Sequence, residues 1–279
     1  MNDISISGLA RRVELDPLAY HVTLRLVGDR VLAPSQTARR AAARAVLVSG
    51  SAHRMLFFRL ADTHLHVILA APIKRAAAFV RSVTRRLHGA LRPGVPFEPA
   101  RYRRVDDQRH LMSAGQYVLG QDRRHGIAVD PLFDASNLPE LVGARTRWGS
   151  SATLVGELMP RFDARELLPA RATVSCWDDL HDAAAAAFCL PDITRRTNVA
   201  VQAKRAAVHV ARAAVGADVV AAALGLDERS IRRLHAEPAP ATHIAAVRLQ
   251  LEWRAGLRLQ RSSSAVAPAA PPASTSSAL

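Results

Sequence analysis

The chain has 279 residues and a mass of 30.1 kDa, enough for one large domain or two modest ones, and its 49% apolar and 22% charged residues suit a globular core. No apolar run approaches the roughly 18 residues a membrane helix needs, the N-terminal MNDISISGLARR lacks an apolar leader, and Cys176 and Cys189 alone cannot build a disulfide framework or a four-ligand zinc site. Thirty-eight basic against 24 acidic residues give a net charge of +14, an excess of base that codon bias does not explain and a polyanionic partner does.

Tyr20 to Val27 alternates, with Val22, Leu24 and Leu26 on one side and His21, Thr23 and Arg25 on the other, the period of a half-buried strand. Ser35 caps an expected helix to about Leu47, closed by a turn at Gly50. Met55 to Leu60 and His64 to Ala71 read as two strands joined by the short turn Ala61-Asp62-Thr63. Ile73 to Leu91 carries Ile73, Ala76, Phe79, Val80, Val83, Leu87 and Leu91 at helical spacing, with Lys74, Arg81, Arg85 and Arg92 as a basic stripe. Pro93 and Pro96 end it, Phe97 to Val105 is a fourth strand, and a further helix runs from Asp107 to about Arg123. The order β-α-β-β-α-β followed by a helix predicts an α+β fold of the ferredoxin-like kind, an antiparallel sheet with two helices on one face and the other face open.

Period-two geometry directs His64 and His66 to one face of the third strand, where they can hold a divalent metal, while Leu65, Val67 and Leu69 point into the helix layer. Tyr117 and Gln121 lie one turn apart on the following helix, at the edge of the small and apolar face formed by Leu111, Ala114, Gly115, Val118 and Leu119. His21 and Arg25 share the strand face of the metal pair as candidate phosphate contacts. Arg103, Arg104, Arg109, Arg123 and Arg124 flank the tyrosine helix as candidate DNA-backbone contacts.

Together these segments resemble the single-tyrosine transposases of the HUH endonuclease superfamily, especially the REP-associated tyrosine transposases. The resemblance covers roughly residues 15 to 145 and rests on YHVTLR, THLHVIL, YVLGQDRRHG and the downstream FDASNLPELVGAR. Thr63 stands where the family usually has Asn, and Gln121-Asp122 where REP-associated members usually have Asn-Pro. The resemblance implies that His64, His66 and Gln121 ligate Mg²⁺ or Mn²⁺, although a nitrogen-rich set also suits zinc. It further implies that Tyr117 is the nucleophile, forming a covalent 5′-phosphotyrosine with single-stranded or hairpin DNA. A homodimer is the family's usual assembly.

Residues 197 to 258 read as helix throughout, and Ala221, Gly225 and Ile231 have the spacing of a helix-turn-helix, with Asp227 capping the second helix. Arg229, Arg232 and Arg233 on that helix are candidate contacts to duplex DNA. AAAAAFCLPDI and AKRAAVHVARAAVGADVVAAALGLDERSIRRL resemble the DnaA carboxy-terminal type of DNA-binding domain. The expected organisation is a nuclease domain over 1–145, a helical connector over 146–196, the helix-turn-helix over 197–258 and a disordered Ser/Ala/Pro tail over 259–279. Both cysteines are expected as buried free thiols. The function expected is a DNA nickase and strand transferase in a reduced, cytoplasmic, nucleoid-associated setting, with no membrane partner. The alternative is a host-retained DNA-binding protein that has lost catalysis.

Overall fold

The computed structural model describes residues 16–121, 130, 132–146, 150–168 and 170–265. Its first half is an antiparallel sheet of β1 (Ala19–Arg25), β2 (Met55–Ala61), β3 (His64–Leu69) and β4 (Arg101–Val105), in the order β2-β3-β1-β4. Helix α1 (Gln36–Ser51) joins β1 to β2, and α2 (Ile73–Leu91) joins β3 to β4. After β4 come α3 (Gln108–Leu119), the short α4 (Leu138–Leu141), α5 (Ser150–Leu158), α6 (Leu180–Ala187), α7 (Asn198–Arg212), α8 (Ala217–Leu224), α9 (Glu228–Ala236) and α10 (Ala241–Ala265). No helix among the described residues is long and apolar enough to cross a membrane.

Local chemistry sets most element ends. The Ser35 hydroxyl accepts from the Ala38 N–H to start α1, and the Asp107 carboxylate accepts from the His110 N–H to start α3. Helix α1 runs through Gly50 to Ser51 instead of closing there, and a Cβ at Gly50 would meet the Met55 Sδ and Cε at about 2.6 and 2.5 Å. That glycine serves close packing, not a turn. Strand β4 starts at Arg101, later than Phe97: Pro99 offers no N–H to a ladder, and Phe97 forms only an isolated bridge with Leu26.

One sheet face meets α1 and α2. Val22, Leu24, Leu65, Val67 and Leu69 bury there against Ala42 and Val46 of α1 and against Ala76, Phe79, Val83 and Leu87 of α2, the last four from the stripe that the helical spacing picks out. Ile73, at the end of that stripe, is 44% exposed.

The opposite face is not open, contrary to the expectation from element order. Leu56, Phe57, Ile68, Ala19 and Val105 form a second core with Leu111, Ala114, Val118 and Leu119 of α3, with Leu154 and Val155 of α5, and with Trp253 of α10. The covering helices come from later in the chain, so the β-α-β-β-α-β repeat alone gives no sign of them.

The segment after α3 is stitched to β2. The Asn137 side chain donates to the Leu56 carbonyl at 2.8 Å and accepts from the Phe58 N–H at 2.9 Å, and the Leu60 N–H donates to the Ala135 carbonyl. The described helices within 146–196, expected as a connector, pack into both halves: α5 packs on β2, and α6 sits in the core of a helical bundle with α7 and α10. Five buried alanines in α6, Ala183 to Ala187, let its neighbours approach closely, which composition alone does not distinguish from a linker helix. Helix α10 continues to Ala265, past residue 259 where the tail was expected to begin; residues 266–279 lie outside the described residues.

A buried ion network joins the two halves. Arg40 of α1, 1% exposed, donates from Nε to Asp134 at 3.0 Å and from a terminal nitrogen to Asp182 of α6 at 2.7 Å. Arg145 donates to both Glu140 carboxylate oxygens at 3.1 Å and to the Ser136 and Asp134 carbonyls at 2.8 Å. The buried Cys189 thiol donates to the Arg40 carbonyl, and burial pushes its pKa up to about 11; Cys176 is only half-buried, not enclosed as expected.

In the bundle, Gly225 takes the left-handed conformation at φ +62 to end α8, and Asp227 accepts from the Ser230 N–H to start α9. Ile231 is fully buried and Ala221 nearly so, while Arg229, Arg232 and Arg233 are exposed.

Candidate active site

The site lies on the sheet face that carries α3, and its composition changes along the strands. In register across β2, β3, β1 and β4, one row is Phe57, Ile68, His21 and Arg103, and the next is Arg59, His66, Thr23 and Arg101. A third row holds Ala61, His64 and Arg25. Residues in one row point to the same side, so the face passes from the apolar Phe57 and Ile68 on β2 and β3 to His21 and Arg103 in the same row, and to the basic and imidazole-bearing rows of His66 and His64 beyond it. Helix α3 lands on the apolar end.

Gly115 makes that landing possible. A Cβ there would stand 2.8 Å from Phe57 Cε2 and 3.1 Å from Cζ, and Phe57 is itself fully buried against Phe162, with ring centroids 5.0 Å apart. The close approach leaves Tyr117, half a turn later, at the rim of the basic end.

The result is a cavity of about 620 Å³ lined by His21, Thr23, His66, Arg101, Arg103, His110, Ser113 and Tyr117, among others. The Tyr117 ring is 5.6 Å from the His66 ring and 6.0 Å from the His21 ring, edge-on to both. Tyr117 is 37% exposed while His66 is 4% exposed, so a reachable phenol stands over an enclosed imidazole.

His66 Nδ1 and His21 Nε2 share a hydrogen bond at 3.0 Å across the β1–β3 ladder. His66 Nε2 is buried and has no hydrogen-bond partner. His64 lies beside it, ring centroids 4.4 Å apart, with its Nδ1 3.1 Å from the Thr63 hydroxyl. Burial, reinforced by His64 and His21, lowers the His66 pKa to about 3; burial, reinforced by Arg103, His110 and His64, lowers that of His21 to about 4. Both imidazoles are therefore neutral near pH 7, the form that can ligate a metal.

An enclosed imidazole with one nitrogen bonded and the other unpartnered has the donor chemistry of a metal ligand. No group of three or more His, Cys, Asp or Glu side chains is arranged to hold a metal ion among the described residues, so the fit rests on the His64–His66 pair. Gln121 stands just beyond the Gly120 cap of α3, near Tyr117 in sequence and in space. Its amide nitrogen, however, donates to the Tyr117 carbonyl at 3.2 Å, and it does not line the cavity.

The expected DNA contacts separate in the same way. Arg103 lines the cavity, directly opposite His21. Arg104 pairs with Tyr20 and points to the other side of the sheet, where it bonds Asp106 at 3.0 Å. Arg25 is on the site face beside His64 and pairs with Asp29 at 3.0 Å. Arg123 and Arg124 lie outside the described residues. Arg229, Arg232 and Arg233 are on α9, with Arg232 3.5 Å from Glu228.

Arg101, Thr23, His110 and Ser113 line the cavity without having been singled out. Two patterns in the sequence could have found them: Arg101 is two residues from Arg103, hence on the same strand face, and Ser113 and His110 are four and seven residues before Tyr117, hence on one side of its helix. Compared with known proteins, the chain matches no family model, no curated protein and no solved structure.

Proposed function

We propose that this chain is a metal-dependent single-tyrosine DNA nickase and strand transferase acting on single-stranded or hairpin DNA. The observation that carries the reading is the exposed Tyr117 phenol beside the enclosed His66 imidazole in one cavity with a basic floor. The antiparallel order β2-β3-β1-β4 is read as ferredoxin-like, and α8 with α9 as a helix-turn-helix that binds duplex DNA through Arg229, Arg232 and Arg233.

In this reading Arg101 and Arg103, which line the cavity with Tyr117, bind the phosphates on either side of the scissile bond. His66 and His64 would hold a divalent cation, Mg²⁺ or Mn²⁺, with the Gln121 side-chain oxygen as a third protein ligand. A cation bound there would supply Lewis-acid chemistry, neutralising charge on the scissile phosphate. Tyr117 loses its phenolic proton and its oxygen bonds to phosphorus; the bond from phosphorus to the 3′ oxygen breaks, and that oxygen takes up a proton. One phosphodiester is exchanged for another, so a 3′-hydroxyl can reverse the step and rejoin DNA without ATP. Tyr117, His21 and His66 meet within one copy of the chain, so the homodimer implied by the family resemblance is not needed to complete the cavity.

The test is a covalent adduct. Wild-type protein with a hairpin oligonucleotide and Mn²⁺ forms a species that survives a denaturing gel, and Tyr117→Phe does not. An adduct in Tyr117→Phe at the wild-type level refutes the nucleophile.

A second reading, a DNA-binding protein without nuclease activity, is favoured by one feature: the Gln121 amide is turned back onto its own backbone. It predicts equal hairpin binding by wild type and His64→Ala, with or without chelator, and no adduct.

A further inference from the structure

We propose that His21 is a positioning residue that fixes the tautomer of His66, rather than a phosphate contact. The inference rests on the metal-dependent reading above and assigns the residue that prepares the ligand.

A neutral imidazole carries one proton on two nitrogens, and the partner of one nitrogen decides where the proton sits. His66 Nδ1 lies 3.0 Å from His21 Nε2. The Thr23 hydroxyl is 3.5 Å from the same nitrogen, too far to govern it. Two arrangements are open to the pair. If His21 donates, the His66 proton sits on Nε2, which is buried with no acceptor, and an orphaned N–H is the rarest defect in a folded interior. If His66 donates from Nδ1, the proton is satisfied by His21 Nε2, and His66 Nε2 keeps an unshared lone pair.

The same logic applies to its neighbour: the Thr63 hydroxyl, 3.1 Å from His64 Nδ1, engages the equivalent nitrogen of the second imidazole. Each histidine of the pair thus has Nδ1 occupied by a protein group. The two partners come from different places, the turn before β3 and the neighbouring strand β1.

The experiment uses the full chain labelled with ¹⁵N, without metal or DNA, and long-range ¹H–¹⁵N correlation of the imidazoles. The His66 signals are assigned by their loss in His66→Asn. Wild type shows a protonated Nδ1 and an unprotonated Nε2 on His66. His21→Phe keeps the ring but removes the acceptor, and the Nε2–H form becomes populated; His21→Gln places an amide oxygen near the Nε2 position and restores the wild-type pattern. Calorimetric titration with Mn²⁺ follows: His21→Phe binds about 10–100-fold more weakly than wild type, and His21→Gln recovers most of the loss. Hairpin binding in chelator is unchanged in His21→Phe.

An Nε2–H tautomer in wild type overturns the proposal, as does Mn²⁺ affinity in His21→Phe equal to wild type. Loss of hairpin binding in chelator returns His21 to the phosphate. Should wild type fail to bind Mn²⁺ while His66 shows the free Nε2, the metal reading fails and the positioning stands.

Discussion

Replacing Gly115 with Ala tests how α3 comes to hold Tyr117 over His66. Alanine in a helix interior is favoured over glycine by about 1 kcal/mol, so a helical glycine with space around it gains from the change. Gly89 in α2 has nothing within 4 Å of a built Cβ, and Gly89→Ala is expected to stabilise the protein by about 0.5–1 kcal/mol. At Gly115 the new methyl would meet Phe57 at 2.8, 3.1 and 3.3 Å. The Phe57 ring cannot swing away, because it is fully buried and packed on Phe162. Helix α3 must lift by several tenths of an ångström, and overpacking of this kind costs about 1–3 kcal/mol. The net expectation is a loss of about 0–2 kcal/mol, so Gly115→Ala should fall below Gly89→Ala in stability by roughly 0.5–3 kcal/mol. Urea denaturation of both, read by fluorescence and circular dichroism, gives the comparison. Because Tyr117 follows Gly115 by two residues, the lifted helix also carries the phenol away from the cavity floor, and the adduct-forming rate falls more in Gly115→Ala than in Gly89→Ala. If Gly115→Ala is stabilised as much as Gly89→Ala, the close approach of α3 to β2 is not what seats the tyrosine.

Acid should weaken the fold through the imidazole pair. His21 and His66 are neutral in the folded chain down to about pH 4 and about pH 3, whereas unfolded histidine takes up a proton near 6.5. The folded state therefore binds fewer protons, the stability is fully present above pH 6.5, and it drains as pH falls from there towards 3–4. Urea midpoints at pH 7.5, 5.5 and 4.5 should fall more steeply for wild type than for His66→Gln; parallel profiles would refute the burial of charge-averse imidazoles. Arg40→Met leaves the Asp134 carboxylate buried without its 3.0 Å partner and should cost about 3–5 kcal/mol, measured by thermal and urea unfolding. A loss under 1 kcal/mol would mean that the two halves are held by their apolar contacts alone. For DNA, Arg103→Gln should weaken hairpin binding for all sequences and reduce the slope against salt by about 1, while Arg104→Gln, on the opposite sheet face, changes neither. Anisotropy titrations at several salt concentrations decide; equal effects would remove the cavity from the DNA path.

Much of the scaffold was legible because it is written in short-range periodicity. Alternation located β1, and the apolar runs around the turn Ala61-Asp62-Thr63 located β2 and β3, each within two residues of its ends, while the 3.6-residue spacing located α2 at Ile73–Leu91. Side-chain caps at Ser35, Asp107 and Asp227 and the left-handed Gly225 follow from residue chemistry within one turn. The pairing of His64 with His66 on one face is a property of any strand. The Tyr117 neighbourhood was legible only in part, since helix periodicity says which side a residue occupies but not what faces it.

By itself, then, the sequence determined the elements, their order, the excess positive charge and the face on which each candidate side chain would sit, because these depend on residues a few positions apart. The tertiary structure alone decided that α3 and α5 would cover the apolar end of the sheet's second face and leave the basic end as a cavity. It alone set His21 against His66, 45 residues away, and Arg40 between Asp134 and Asp182, 94 and 142 residues away. Those contacts follow from strand register and from which buried surfaces fit together, and neither is encoded in any window of sequence short enough to carry a period.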